Sequence, residues 1–255
     1  MPHGRECTLR RSTFIALFAV FVIAAAFRIW YYTNENWMLS RDSLQYIDCV
    51  IRWKNSDDFY IAKSESGTDR QYYPPLLLAF MKILSFKGKY CAQVGVMISM
   101  TAGIVFCLLL YRIGWLLFKN VPGAYLAGMF AAVNPYLIEF SVQAQREMLF
   151  LLFVAAILCL ILKDDFRFPA DLILGGVLTS AAFLTRYEAL ELLLIWGVFF
   201  FHMARKNKSP RSFFVWSAVL LTAFIGSTLL LGLIVGVPMR LYHNQFLRIT
   251  SRARF

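Results

Sequence analysis

Charge is what this sequence has least of. Asp, Glu, Lys and Arg make up 16% of its 255 residues, against roughly 25% in an ordinary soluble domain, which excludes a water-soluble globule. Acids are the scarcer half: 15 Asp and Glu stand against 26 Lys and Arg, a formal net charge of +11. Histidine is rarer still, and His3, His202 and His243 are too scattered to give a metal-ligand spacing. The cysteines, Cys7, Cys49, Cys91, Cys107 and Cys159, form no CxxC and read as small membrane-compatible hydrophobes. Cys49 with Cys91 is the one pairing that shares a predicted layer. A Walker loop, GxSxG and HExxH are all missing, which removes nucleotide hydrolysis and the usual hydrolase signatures. There is no internal repeat, and so no hint of the inverted halves common in secondary transporters.

What fills the chain instead is apolar. Hydrophobic residues account for 59%, with 24 Phe, 12 Tyr and 6 Trp, and the mean hydropathy is +0.59. The bilayer is the solvent. At about 20 residues per span, the candidate helices are Thr13 to Tyr32, Cys91 to Phe118, Val121 to Phe140, Glu147 to Leu162, Leu172 to Thr185, Ala189 to His202 and Phe213 to Val237. The expected fold is all-α and polytopic, one membrane-embedded module over residues 1–255 with about seven transmembrane helices. In such a chain a basic excess reflects the positive-inside rule and anionic lipid. Nucleic acid would need a polar basic face, which is lacking.

The first span follows Arg5, Arg10 and Arg11, exceeds a signal-peptide core and has no small-residue cleavage site after it. It reads as an uncleaved anchor with a cytoplasmic N-terminus. Lys119, Lys163 with Arg167, and the group Arg205, Lys206, Lys208 and Arg211 mark the cytoplasmic loops. The long loop 33–90 then lies outside, with the turns at Arg146–Glu147 and Arg186–Glu188 and the tail from Arg240. That tail, with Arg248, Arg252 and Arg254, departs from the simple rule, so either the last span is misplaced or those arginines meet an external anionic group. Within the long loop, "RDSLQYIDCVIRW" and Pro74 to Phe86 read as interfacial helices, the second a re-entrant element capping something beneath it.

Ionisable groups at membrane depth cost several kcal/mol unless paired or watered, so each is by default a functional-site candidate. Asp42, Arg146 with Glu147, and Arg186 with Glu188 come from three loops and fall on one face. Asp42 has a second reading as the N-cap of a helix beginning at Ser43, and Arg146–Glu147 as a plain interfacial ion pair. Arg186 and Glu188 interrupt an apolar run whose turn would need only Asn or Gly. Glu191 should face the cavity or pair with an arginine. Arg28 reads as a snorkelling side chain, and Tyr31, Tyr32, Tyr72 and Tyr73 as an aromatic belt.

The order of "RDSLQY", "YYPPLLLAF", "NPYLIEFSVQAQREMLFLLF" and "LTRYEALELLLI" after a basic first span resembles the GT-C fold glycosyltransferases of the protein mannosyltransferase and aminoarabinose transferase type. The resemblance covers nearly the whole chain, up to about the family's N-terminal module. It implies transfer of a sugar from a polyprenyl- or dolichyl-phosphate carrier, with inversion, to a protein, lipid or glycan acceptor on the exoplasmic face. By resemblance, Asp42 and Glu147 take the catalytic acidic positions, and Arg186 and Glu188 match a Thr-Arg-Pro-Glu-like turn with Tyr187 where Pro is usual. Arg146, Arg70, Arg240 and Tyr46 complete the candidate substrate-binding set. Some relatives use a divalent metal, but here Ser43 follows Asp42 where a second acid is common, and one carboxylate is a poor site for a hard dication. Compact size favours a bacterial plasma membrane over the endoplasmic reticulum. A transporter or flippase, or a non-catalytic truncated module, are the competing readings; one-sided charge argues against transport.

Overall fold

The computed structural model describes residues 3–34, 39–56, 74–85, 90–163, 166–206 and 209–235. Among these, ten α-helices and one 3₁₀ turn account for the ordered elements: α1 His3–Asn34, α2 Arg41–Ser56, α3 Pro75–Leu84, α4 Cys91–Phe118, α5 Val121–Val133, α6 Pro135–Ser141, α7 Glu147–Leu162, α8 Ala170–Phe183, the turn Tyr187–Leu190, α9 Glu191–Lys206 and α10 Pro210–Val235. No strand occurs among the described residues, and the fold is all-α, as expected of a polytopic membrane protein. Among the described residues four segments are long and apolar enough to cross a bilayer: Ser12–Asn34, Cys91–Phe118, Tyr187–Lys206 and Arg211–Ile234. The bent pair α5–α6 makes a fifth candidate, while α7 and α8 are apolar but shorter. At 16 residues and a rise of about 1.5 Å each, α7 falls short of the roughly 30 Å hydrocarbon layer.

Local chemistry explains where the helices start and stop. Pro75 opens α3, where a missing N–H and a preset φ cost nothing. Acids sit in the first turns of α2, α7, α8, the 3₁₀ turn and α9, namely Asp42, Glu147, Asp171, Glu188 and Glu191, each at the positive end of a helix dipole. The third expected span is two helices, not one. Pro135 cannot donate to the hydrogen-bond ladder of α5, Asn134 Oδ1 accepts the Leu137 amide at 3.2 Å, and the chain turns by 60°.

The central helix is α4, which packs on α1, α2, α3, α5, α6 and α7. Next to it, α7 carries the packing across to α8, and α8 lies along α10 with α9 alongside. Among the described residues two large apolar cores result, with a small third cluster of Leu76, Ala181 and Leu184. One gathers Val20, Ala24, Tyr46, Trp53, Leu77 and Met81 around α4. The other is built on Trp196, Phe200, Leu172 and Leu220. In the second, Gly175 leaves space that the Trp196 ring fills, and Trp196 Nε1 donates to Thr179 Oγ1 at 3.2 Å, so the buried indole N–H is satisfied.

The element 74–85 is wedged into the bundle, with Pro75 to Ala79 and Met81 buried and Ile83 and Leu84 outward. Lys82 Nζ stands 4.4 Å from the centre of the Trp53 ring, and Lys54 Nζ donates to the Ser85 carbonyl, so α2 and α3 are tied to each other by side chains from both. Two sequence readings are corrected here, and the reading of the cysteines as small hydrophobes agrees with what is found. Arg28 does not snorkel: it is wholly buried. Asp42 is not a cap, because α2 begins at Arg41 and the Ser43 amide donates to Ser40 Oγ at 3.1 Å. Cys49 and Cys91 are both free and buried.

Candidate active site

Four short segments meet at one end of the bundle. The link between α6 and α7, Val142 to Arg146, is pinned on two sides. Ser99 Oγ of α4 donates to the Gln145 carbonyl at 3.0 Å, and Gln145 Nε2 donates to Ser40 Oγ, the α2 cap, at 2.7 Å. The Gln145 amide thus ties the residue before Arg41–Asp42 to the residues before Glu147. On the other side, α8 ends at Phe183, Arg186 is extended, and Glu188 is the second residue of the single 3₁₀ turn Tyr187–Leu190. The Leu184 carbonyl of this tip accepts the Leu76 amide at 3.2 Å, a donor that the first turn of α3 leaves without an intrahelical partner. The expected convergence of the long loop and the two hairpin tips is therefore physical, made by hydrogen bonds.

The charges are arranged around Arg186. Its Nη2 donates to Glu188 Oε1 at 3.1 Å and its Nε to Oε2 at 3.4 Å. Its Nη1 lies 3.8 Å from Glu147 Oε1, which Arg146 Nε approaches to 3.6 Å. Both Glu147 contacts are longer than a hydrogen bond, so one carboxylate oxygen sits between two guanidinium groups without being closed onto either. The Phe150 ring stands 5.5 Å from the Arg186 guanidinium carbon. The hydrogen bonds it donates to Glu188, working against burial, hold the Arg186 pKa above its usual range, so this fork stays cationic at every working pH.

Asp42 lies half-buried in the first turn of α2. With the cap supplied by Ser40, its carboxylate has no hydrogen bond or ion pair among the described residues. Tyr46, one turn on, is buried at 3% exposure on the inner face of the same helix. Glu191 is exposed and pairs with no arginine among the described residues. Arg70 and Arg240 lie outside the described residues. No group of three or more His, Cys, Asp or Glu able to hold a metal ion occurs among the described residues, so the described donor set does not fit a bound dication.

Sequence reasoning missed two members of this site. Ser40 and Gln145 carry no charge and no motif; the only signal was Ser40 at the position before Arg41, three residues ahead of an amide needing a cap. An open apolar groove of about 460 Å³ runs between α3, α4 and α7, lined by Phe80, Leu84, Met97, Val105, Leu149 and Leu152. Leu149 stands two residues after Glu147 on α7, so the groove and the charged cluster lie on different sides of the same helix.

Among known families, Dolichyl-phosphate-mannose-protein mannosyltransferase matches residues 73–232, well over half of the chain. The chain belongs to this family. The matched stretch runs from the start of α3 to the last turns of α10 and contains Glu147, Arg186 and Glu188, while Asp42 precedes it. Membership makes the protein a membrane glycosyltransferase of the mannosyltransferase type, with a lipid-linked sugar donor and an acceptor. No match is found among curated proteins or solved structures.

Proposed function

We propose that this mannosyltransferase-family protein moves a sugar from a polyprenyl- or dolichyl-phosphate carrier to an acceptor hydroxyl on the exoplasmic face, with inversion. The observation that carries the reading is the open Arg186–Glu147–Arg146 cluster at the start of α7, a helix whose other side borders an apolar groove. An amphiphile with a phosphate head and an isoprenoid tail needs both kinds of surface. Arg186 Nη1 keeps its protons free of hydrogen bonds to Glu147 and can turn them to a phosphate oxygen, for which a guanidinium fork is well shaped.

In this reading Asp42 takes the acceptor proton as the acceptor oxygen attacks the anomeric carbon, and the bond from that carbon to the phosphate oxygen breaks. Charge moves onto the departing lipid phosphate, where Arg186 and Arg146 stabilise it. The carrier already supplies a good leaving group, so holding two substrates in line is most of the work. Glu147 keeps the two arginines at the working distance, and its own carboxylate faces the same space. Arg70 and Arg240 are further candidate phosphate partners.

The test is transfer by purified protein in proteoliposomes containing dolichyl-phosphate mannose, with an acceptor peptide or glycan outside. The wild type transfers, and Asp42→Asn lowers kcat by about 10²–10⁴-fold. Full activity in Asp42→Asn removes that residue from the mechanism. Solute movement without any sugar transfer by the wild type replaces the enzyme with a transporter.

A further inference from the structure

Arg28 is a full positive charge at zero exposure inside the bundle, enclosed by α4, α5 and α6, and no carboxylate pairs with it among the described residues. Its Nε donates to Ser141 Oγ at 3.0 Å. Nη1 donates to the Ala24 carbonyl of its own helix at 3.1 Å and to the Ala132 carbonyl at 3.4 Å. Nη2 is buried without a hydrogen bond. On the α4 side, a side chain at Gly103 would collide with both Ser141 Oγ and Arg28 Nε, so α4 leaves room for this contact.

Ala132 and Ser141 stand on opposite sides of the Asn134–Pro135 break. Because Pro135 has no N–H, α5 ends in carbonyls with no intrahelical donor, at the negative end of its dipole. Arg28 brings its charge to that end and reaches across to the last residue of α6. The chain then runs through Val142 and Gln145 directly to Glu147. For stability alone an apolar side chain of similar volume would serve as well or better than a buried ion; what the guanidinium adds is a fixed angle.

We propose that Arg28 is a positioning residue: by bridging α5 to α6 it sets the 60° bend and thereby holds the Gln145–Glu147 segment against Arg186. The catalytic half of this inference rests on the function proposed above; the mechanical half does not.

The experiment measures amide hydrogen exchange and sugar transfer for the full chain in lipid nanodiscs, comparing wild type, Arg28→Met and Arg28→Lys. Losing hydrogen bonds from a charged donor should make exchange across 134–147 about tenfold faster in Arg28→Met, with α10 unchanged and Arg28→Lys in between. With dolichyl-phosphate mannose as donor, kcat falls while KM holds. Acceleration spread evenly over the chain, or none, overturns the proposal, as does a rise in KM at constant kcat, which would make Arg28 a donor contact. Should Arg28→Met not fold, Gly103→Ala presses on the same contact from α4 and must raise exchange in 134–147 alone. A wild type without transfer defeats the proposed function and leaves the exchange result to decide the bridge.

Discussion

The two ends of α7 handle charge in opposite ways. At its C-terminal end, Lys163 Nζ meets Asp171 Oδ2 at 2.6 Å, and the Arg167 amide donates to the same carboxylate. Every partner is local and the contacts are short. At the N-terminal end, Glu147 faces two arginines at 3.6 and 3.8 Å, brought from its own segment and from the α8–α9 tip. A closed pair of neighbours is sufficient to hold a hairpin together. An open group recruited from distant segments leaves polar capacity unspent, and that spare capacity is what a substrate needs.

The sharpest way to break this contrast is Glu147→Gln. We expect transfer to fall by about 10²-fold, as for misplacement of groups that hold the substrate, with little change in unfolding temperature; equal losses of activity and stability would make the N-terminal end structural too. Next comes Arg186→Gln, for which kcat/KM should drop about 10–100-fold, the equivalent of one charge-assisted hydrogen bond. Titration of donor analogue by each variant separates weaker binding from slower chemistry. In the aromatic core, Gly175→Val drives a side chain into the Trp196 ring and should cost about 1–3 kcal/mol, seen as a lower unfolding temperature with unchanged KM.

The smallest effect belongs to Asp171→Asn. Burial resists ionisation of Asp171, but hydrogen bonds from Lys163 and the Arg167 amide, with their charges, outweigh it and hold its pKa below the usual carboxylate range. A depressed folded pKa gives stability that is present above the unfolded value of about 3.9 and is lost as pH falls through the folded one. Wild type should therefore exceed Asp171→Asn by about 1 kcal/mol at neutral pH, and the two should converge in acid, with equal transfer activity throughout. A loss of transfer in Asp171→Asn would erase the distinction between the two ends.

Legibility in the sequence followed the same division. The limits of α4 and α7 were readable to the residue, because polar or charged residues interrupt otherwise unbroken apolar runs at each end. The meeting of Glu147 with Arg186 was readable in outline, since charges that must avoid lipid gather where water is. The bend at Asn134–Pro135 was hidden by uniform hydropathy: Val121 to Phe140 is apolar throughout, and only the missing proline N–H marks the break. Arg28 was misplaced because a lone arginine near a helix end has an easy route to the surface. Its helical neighbours at four-residue spacing, Val20 and Ala24, are both fully buried; that stripe was the available clue. Tyr46 and Glu191 show the limit of the method, as one side of a short helix is not distinguished from the other by motif order.

The bond from the Leu76 amide to the Leu184 carbonyl joins two structures with separate tasks. Leu76 belongs to the helix whose outer residues Phe80 and Leu84 edge the apolar groove, and Leu184 lies two residues before Arg186. A single peptide contact thus fixes the height of one helix relative to the backbone that aims the guanidinium, so a change made in either is felt in the other.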